Sequence, residues 1–84
     1  MIERNAGFEI IASEVYHVSR LGQQSRIVLG RMETKLGIKY VTWESTLWPV
    51  EDHRAIDYYW GHYFDDGEKA RADYHRRLFE KYES

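Results

Sequence analysis

The chain has 84 residues, 43% of them hydrophobic, and 12 basic and 14 acidic side chains leave a formal net charge of −2. A chain this short cannot close two separate hydrophobic cores, so we expect a single domain over residues 1–84. The absence of cysteine excludes a disulfide framework, thiol catalysis and cysteine-ligated zinc sites. No apolar run is long enough to span a membrane or resembles a signal peptide, so we expect a cytoplasmic protein.

Aromatic residues make up 15% of the chain, with three Trp, seven Tyr and three Phe. This is more ring surface than so small a core buries easily, and Tyr and Trp are common anchors of binding surfaces. The acidic balance disfavours a protein that wraps nucleic acid, because such proteins usually carry a basic excess. The composition therefore favours a recognition function.

Four segments have strand character, because they are rich in β-branched and aromatic side chains. These predicted strands are residues 8–18, 26–32, 38–44 and 57–64. Gly22 and Gly37 lie in the short links between the first three segments, which predicts an antiparallel meander. Gly30, inside the second segment, indicates a bulge or a close approach of the backbone to a neighbour.

Residues 45–56 interrupt the strand pattern. Pro49 disfavours a central strand, and the polar run at residues 51–54 is typical of an exposed connection. We therefore expect a long loop between the third and fourth predicted strands, and this loop contains Trp48.

A C-terminal helix is predicted over residues 66–82. Asp65 is the expected N-cap, and Glu68, three residues later, completes a capping box. The helical period places one apolar stripe along this segment. The stripe consists of Ala70, Tyr74, Leu78, Phe79 and Tyr82.

The remaining surface of this helix is expected to carry ion pairs. Asp73 with Arg77, and Arg76 with Glu80, have the i,i+4 spacing of such pairs. Together the segments predict an α+β fold: a four-stranded antiparallel β-meander with one C-terminal α-helix packed on one face.

Both faces of the predicted sheet carry aromatic side chains, although one helix covers only one face. Strict alternation places Tyr59 and Tyr63 on one face of the fourth predicted strand, and in the third it places Trp43 on the face opposite Thr42. We group Trp43, Tyr59 and Tyr63 in one patch, with Trp48 at its rim. These rings either cover neighbouring strands as part of the core or form a binding surface. We take these four residues as the candidate partner-binding site. A homodimer through the same patch is an alternative to a different protein partner.

No residue pattern matches a catalytic or metal site. His53 lies near three acidic residues, but the spacing matches no metal-ligand signature. The serines lack a nucleophile motif, and the chain contains no glycine-rich phosphate loop. We therefore predict no catalytic residue, no metal and no cofactor, and we do not expect an enzyme.

The basic side chains of the predicted helix offer an alternative function. Arg71, Arg76 and Lys81 would contact phosphates while the aromatic side chains of the sheet stack on bases. Acidic residues interrupt this basic series, which favours a solvated face of mixed charge. A small nucleic-acid-binding regulatory protein is therefore the alternative prediction.

Three segments also form a recognisable pattern: residues 27–30 (IVLG), 40–43 (YVTW) and 58–64 (YYWGHYF). The acidic turn that follows, and then Ala70, Asp73, Tyr74 and Arg77, extend it. Over residues 27–77 the chain resembles small accessory proteins carried by phages and conjugative elements of gut Firmicutes. Some proteins of this kind are anti-CRISPR or other anti-defence proteins, which bind a host nuclease.

This resemblance implies a non-enzymatic protein-binding module of a mobile genetic element. The implied partner is a host protein, a CRISPR effector nuclease or another defence nuclease, which the module inhibits in the host cytoplasm. The resemblance identifies no catalytic or ligand-binding residues.

Overall fold

A computed structural model describes residues 2–49 and 54–83, in which five β-strands precede one α-helix. The elements are β1 (Arg4–Asn5), β2 (Phe8–Val18), β3 (Gln24–Thr34), β4 (Gly37–Pro49), β5 (Arg54–Phe64) and α1 (Gly67–Glu83). Each strand pairs antiparallel with the next one along the chain, which gives the sheet order β1-β2-β3-β4-β5. The predicted α+β class, with an antiparallel sheet and one C-terminal helix, is confirmed.

The sheet has five strands, so the prediction of four was wrong. The additional strand, β1, is two residues long and pairs with the start of β2. The turn between them has positive φ angles at both residues, 52° at Ala6 and 85° at Gly7. This is the backbone of a type I′ hairpin. A two-residue strand is too short to produce a periodic pattern, so the sequence contains no signal for it.

The loop predicted at residues 45–56 was also wrong, because β4 continues to Pro49 and β5 begins at Arg54. Proline is tolerated here because Pro49 ends its strand and lies beyond Leu47, the last residue of β4 that pairs with β3. Trp48 therefore lies in a strand.

Asp66 caps α1, and the prediction of Asp65 was wrong by one residue. The Asp66 Oδ1 atom accepts hydrogen bonds from the backbone N–H groups of Glu68, at 2.8 Å, and Lys69, at 3.4 Å. Asp65 instead forms an ion pair with Lys39 of β4, at 2.5 Å. Two adjacent aspartates carry the same capping signal, so the sequence alone does not decide between them.

Two hydrophobic clusters lie on opposite faces of the sheet. The cluster under α1 contains Ile27, Leu29, Ala70, Tyr74 and Leu78. The cluster on the other face contains Phe8, Val28, Val41 and Trp43. The sheet curls around this second cluster and is nearly barrel-shaped, so the ring of Phe8 in β2 comes within 6.1 Å of the Tyr63 ring in β5. The curvature of the sheet therefore covers much of the face that α1 leaves open.

The buried side of α1 is more polar than predicted. Asp73 and Arg77, expected on the exposed surface, are buried against the sheet. Phe79 and Tyr82, expected in the apolar stripe, are exposed. The buried positions follow the spacing i, i+3, i+4, i+7 and i+8 from Ala70, which is the usual pattern of a helix packed on one face.

Candidate functional site

A β-bulge in β5 decides which aromatic side chains share a face of the sheet. Between two regular stretches of pairing, β4 advances two residues, from Glu44 to Thr42, while β5 advances three, from Tyr59 to His62. Trp60 lies in this irregularity, with a φ of 55°. The extra residue reverses the alternation of side chains that follows it.

The predicted patch of Trp43, Tyr59 and Tyr63 therefore does not form one surface. Tyr59 pairs with Glu44, on the face that carries α1, whereas Tyr63 contacts Trp43 on the opposite face, with ring centroids 6.3 Å apart. Trp43 belongs to the core of that face and is only 4% exposed. Its burial leaves little of its ring surface for a partner.

Three aromatic residues, Trp48, Tyr59 and Trp60, instead lie on the α1 side of β4 and β5, with Trp48 four positions further along the ladder than Tyr59; we call them the helix-side rings. Tyr59 and Trp60 are in contact, with ring centroids 5.1 Å apart. The Tyr59 hydroxyl hydrogen-bonds to Thr46 Oγ1 at 2.9 Å, and Trp48 Nε1 donates to Asp57 at 3.2 Å. Two of the four predicted binding residues thus share a surface with one that was not predicted, Trp60.

Trp60 combines a strained backbone with an exposed ring. A bulky side chain in the left-handed region of φ costs roughly 1–2 kcal/mol. The residue is 66% exposed, so burial of the ring does not offset this cost. The backbone is held by Arg77, which is buried and donates from Nη2 to the Trp60 carbonyl oxygen at 2.5 Å. The fold therefore presents this ring to solvent at a cost in stability.

Gly61, the next residue, allows the bulge to lie against the core. A Cβ atom added to Gly61 would be 2.8 Å from Nε1 of the buried Trp43 and 3.1 Å from the Tyr63 ring. No larger residue fits this position unless both rings move. The close approach explains why glycine follows the strained tryptophan.

A buried polar network centred on Asp73 joins α1 to the sheet behind Trp60. The Asp73 carboxylate accepts hydrogen bonds from the Thr42 hydroxyl at 2.6 Å, from His62 Nδ1 at 2.9 Å and from Arg76. Burial alone would raise the pKa of the Asp73 carboxyl. The hydrogen bonds from Thr42, His62 and Arg76 outweigh this effect and lower the pKa below its usual value.

Arg77 connects the same network to the bulge. Its Nη1 atom donates to Thr42 Oγ1 at 3.2 Å, and its Nη2 atom lies 3.4 Å from His62 Nε2 as well as bonding to the Trp60 carbonyl. His62 donates from Nδ1 to a carboxylate, so its Nε2 atom is free to accept when the ring is neutral. The geometry of Trp60 thus depends on side chains from α1, β4 and β5.

An open cleft of about 350 Å³ adjoins this network between α1 and the sheet. Its lining consists of Glu44, His62, Arg76, Arg77, Glu80 and Lys81. Lys81 Nζ lies 3.1 Å from the Glu44 carboxylate, and Arg76 Nη1 lies 3.6 Å from Glu80. The cleft therefore carries charges of both signs in close pairs.

The structure brings together two of the three predicted nucleic-acid-binding residues. Arg76 and Lys81 line the cleft, whereas Arg71 is exposed and is not part of the lining. Glu44 and Glu80 lie in the same cleft, where they would repel phosphate groups.

Metal ligation and membrane crossing have no support in the part of the chain that the structure describes. Within that part, no group of three His, Asp or Glu side chains is arranged to hold a metal ion. The weak candidate ligand His53 and its neighbours Glu51 and Asp52 lie outside the described residues. No described helix is both long enough and apolar enough to cross a membrane.

Comparison with known proteins adds no assignment. The chain matches no family model, no curated protein and no solved structure. The resemblance to accessory proteins of mobile elements stays a prediction.

Proposed function

We propose that this protein is a non-enzymatic protein-binding module whose contact surface is centred on Trp60. The observation that carries the proposal is an exposed tryptophan held at positive φ by a buried arginine. Strained backbone is retained only where surrounding contacts enforce it, and it is concentrated at ligand clamps and active sites. Tryptophan is also among the residues most enriched at energetic hot spots of protein interfaces.

The surroundings of Trp60 support a protein as the partner. Tyr59 and Trp48 extend the aromatic surface, and the cleft beside it supplies paired charges such as Arg76 with Glu80. An aromatic centre with a polar rim of mixed charge is the usual composition of a protein interface.

The resemblance noted above supports a host defence nuclease, such as a CRISPR effector, as the specific partner. In this proposal the module inhibits the nuclease by occupying part of its surface, and it needs no chemistry of its own. Purified protein added to the effector should then reduce cleavage of a target plasmid. Full cleavage at a saturating concentration of the protein would contradict inhibition.

The binding surface is tested by comparing the wild type with Trp60→Gly. The partner recovered with the wild type is purified, and its affinity for both proteins is measured by calorimetry. Loss of a central tryptophan should weaken binding at least about tenfold, as expected for a hot spot. The matched control is Leu36→Ala, which changes an exposed residue in the turn between β3 and β4 and should leave the affinity unchanged. Equal affinities for wild type and Trp60→Gly would contradict the proposal.

Nucleic acid is the second candidate, because Arg76 and Lys81 lie in one cleft beside the helix-side rings. This function requires binding of single-stranded oligonucleotides that weakens steeply with salt. At a fixed salt concentration, Arg76→Glu should bind these oligonucleotides more weakly than the wild type does. Absence of binding at low salt, where phosphate contacts are strongest, would exclude it.

A further inference from the structure

On the face opposite the helix-side rings, a carboxylate from the chain itself bonds to donors of a buried arginine and a partly buried tyrosine. The carboxylate belongs to Glu3, and both of its oxygens bond to the Arg26 guanidinium, at 2.5 and 3.1 Å. The Tyr58 hydroxyl donates to one of the same oxygens. A bidentate contact with an arginine, together with one more donor, is an arrangement that recognises a carboxylate.

The donors are positioned by the sheet and not by the segment that carries Glu3. Arg26 lies in β3 and is 6% exposed, and it also donates to the buried Ser45 Oγ of β4 from two nitrogens, at 3.2 and 3.3 Å. Tyr58 lies in β5 and pairs with Ser45 across the β4–β5 ladder. The Arg26 guanidinium is thus also held by Ser45, and the Tyr58 ring packs against Trp43, with centroids 5.4 Å apart.

The segment that carries Glu3, residues 2–5, is held weakly by comparison; we call it the strap. Its strand β1 has two residues, and one further backbone hydrogen bond joins the Glu3 carbonyl to the Ile10 N–H at 2.9 Å. The turn that follows places Ala6 at a φ of 52°, in the left-handed region that favours Gly or Asn. A hairpin this short is marginal by itself, so the bonds of the Glu3 carboxylate help to hold it on the sheet.

We propose that Arg26, held by Ser45, and Tyr58 form a carboxylate-binding site that the strap occupies through Glu3. A ligand or partner that carries a carboxylate then competes with Glu3 for the same donors. Because Glu3 belongs to the same chain, its effective concentration at the site is in the millimolar range or above. An external carboxylate therefore binds weakly to the wild type and more tightly once Glu3 is removed.

The test is chemical rescue of Glu3→Ala by acetate. Thermal unfolding is followed in sodium acetate and in sodium chloride at equal ionic strength and pH 7. In chloride the variant should unfold at a lower temperature than the wild type, because it leaves a buried cation without its partner. Acetate should raise its unfolding temperature by about 5–10 °C at roughly tenfold above the dissociation constant, and the rise should continue with the logarithm of the acetate concentration. The wild type should show little or no rise.

Two controls separate this site from a general effect of acetate. Glu9→Ala removes a carboxylate that faces Arg4 in an exposed pair at 4.0 Å, and it should show no gain in acetate over chloride. Adding Arg26→Met to Glu3→Ala should abolish the gain. The proposal is wrong if Glu3→Ala gains nothing in acetate, or if the gain persists without Arg26.

The acetate experiment also tests the site if Glu3→Ala does not fold in chloride. If Glu3→Ala is unfolded there, acetate is titrated while circular dichroism follows the recovery of the fold. Recovery of a cooperative transition supports the site, and a chain that stays unfolded in acetate overturns it. A short peptide tested with a free and with an amidated C-terminus then shows whether the site accepts a chain terminus or only small acids.

Discussion

At the scale of single residues, the contact between α1 and the sheet depends on the ionised Asp73 carboxylate. Three donors from three elements converge on it: Thr42 of β4, His62 of β5 and Arg76 of α1. Removing its charge leaves the buried Arg77 without its nearest carboxylate, 4.0 Å away.

Asp73→Asn should lower the free energy of unfolding by about 3–5 kcal/mol at neutral pH, as for other broken buried ion pairs. The pKa of Asp73 is lower in the folded than in the unfolded chain, so its contribution is complete above the unfolded value, which is about 4. The contribution is lost as the pH falls through the folded value. Urea denaturation of both proteins should thus give a stability difference that shrinks below about pH 4. A difference independent of pH would contradict this role.

The buried side chains of α1 in this network were predictable from the sequence, whereas the bulge that the network contacts was not. The spacing of Asp73 and Arg77 from Ala70 already fits the buried positions of a helix, so their burial was predictable from the same periodicity. The position of Trp60 was not predictable. Its bulge depends on a one-residue difference between β4 and β5, which no local pattern records.

At the scale of elements, α1 stabilises the fold through a narrow line of side chains. Leu78 is buried in the cluster under the helix, whereas its neighbour Phe79 is exposed. Leu78→Ala should therefore cost about 2–5 kcal/mol, enough to unfold much of so small a domain. Phe79→Ala should change the free energy of unfolding by less than about 0.5 kcal/mol. Chemical denaturation measures both, and similar losses would contradict the observed packing of α1.

Strand and helix positions were largely predictable, because β-branched, aromatic and apolar periodicities extend over many residues. The predicted strand at residues 8–18 matches β2, and the predicted helix at residues 66–82 matches α1 to within one residue at each end. The extension of β4 through Trp48 to Pro49 was not predictable. It depends on pairing with β5, a contact between distant parts of the chain that overrides the local preference of proline.

At the scale of the whole molecule, the curl of the sheet determines which of the many aromatic side chains are buried and which are exposed. Part of the aromatic excess lies in the curl, where Trp43 is buried and packs against Tyr58, whereas Tyr63 contacts Trp43 but is itself 64% exposed. On the other side of the sheet, Tyr59 and Trp60 are in contact, and Phe79 and Tyr82 are exposed on α1. The predicted homodimer stays a prediction, and with the original patch divided between two faces it would use the helix-side rings. Light scattering measures the oligomeric state of the wild type and of Trp60→Gly, and a dimer through these rings should be weakened in the variant.

The central claim, that the fold accepts backbone strain to present the Trp60 ring, is tested most directly by the unfolding free energies of Trp60→Gly and Trp60→Ala. Both variants remove the ring, but only glycine relieves the positive φ. In an ordinary strand position glycine is the less stable of the two, by roughly 0.5–1 kcal/mol. We predict the reverse order here, with Trp60→Gly more stable than Trp60→Ala by about 1 kcal/mol and close to the wild type. A more stable Trp60→Ala would show that the positive φ carries no strain, and a large loss of stability in both variants would show that the ring supports the fold; either result would contradict the claim.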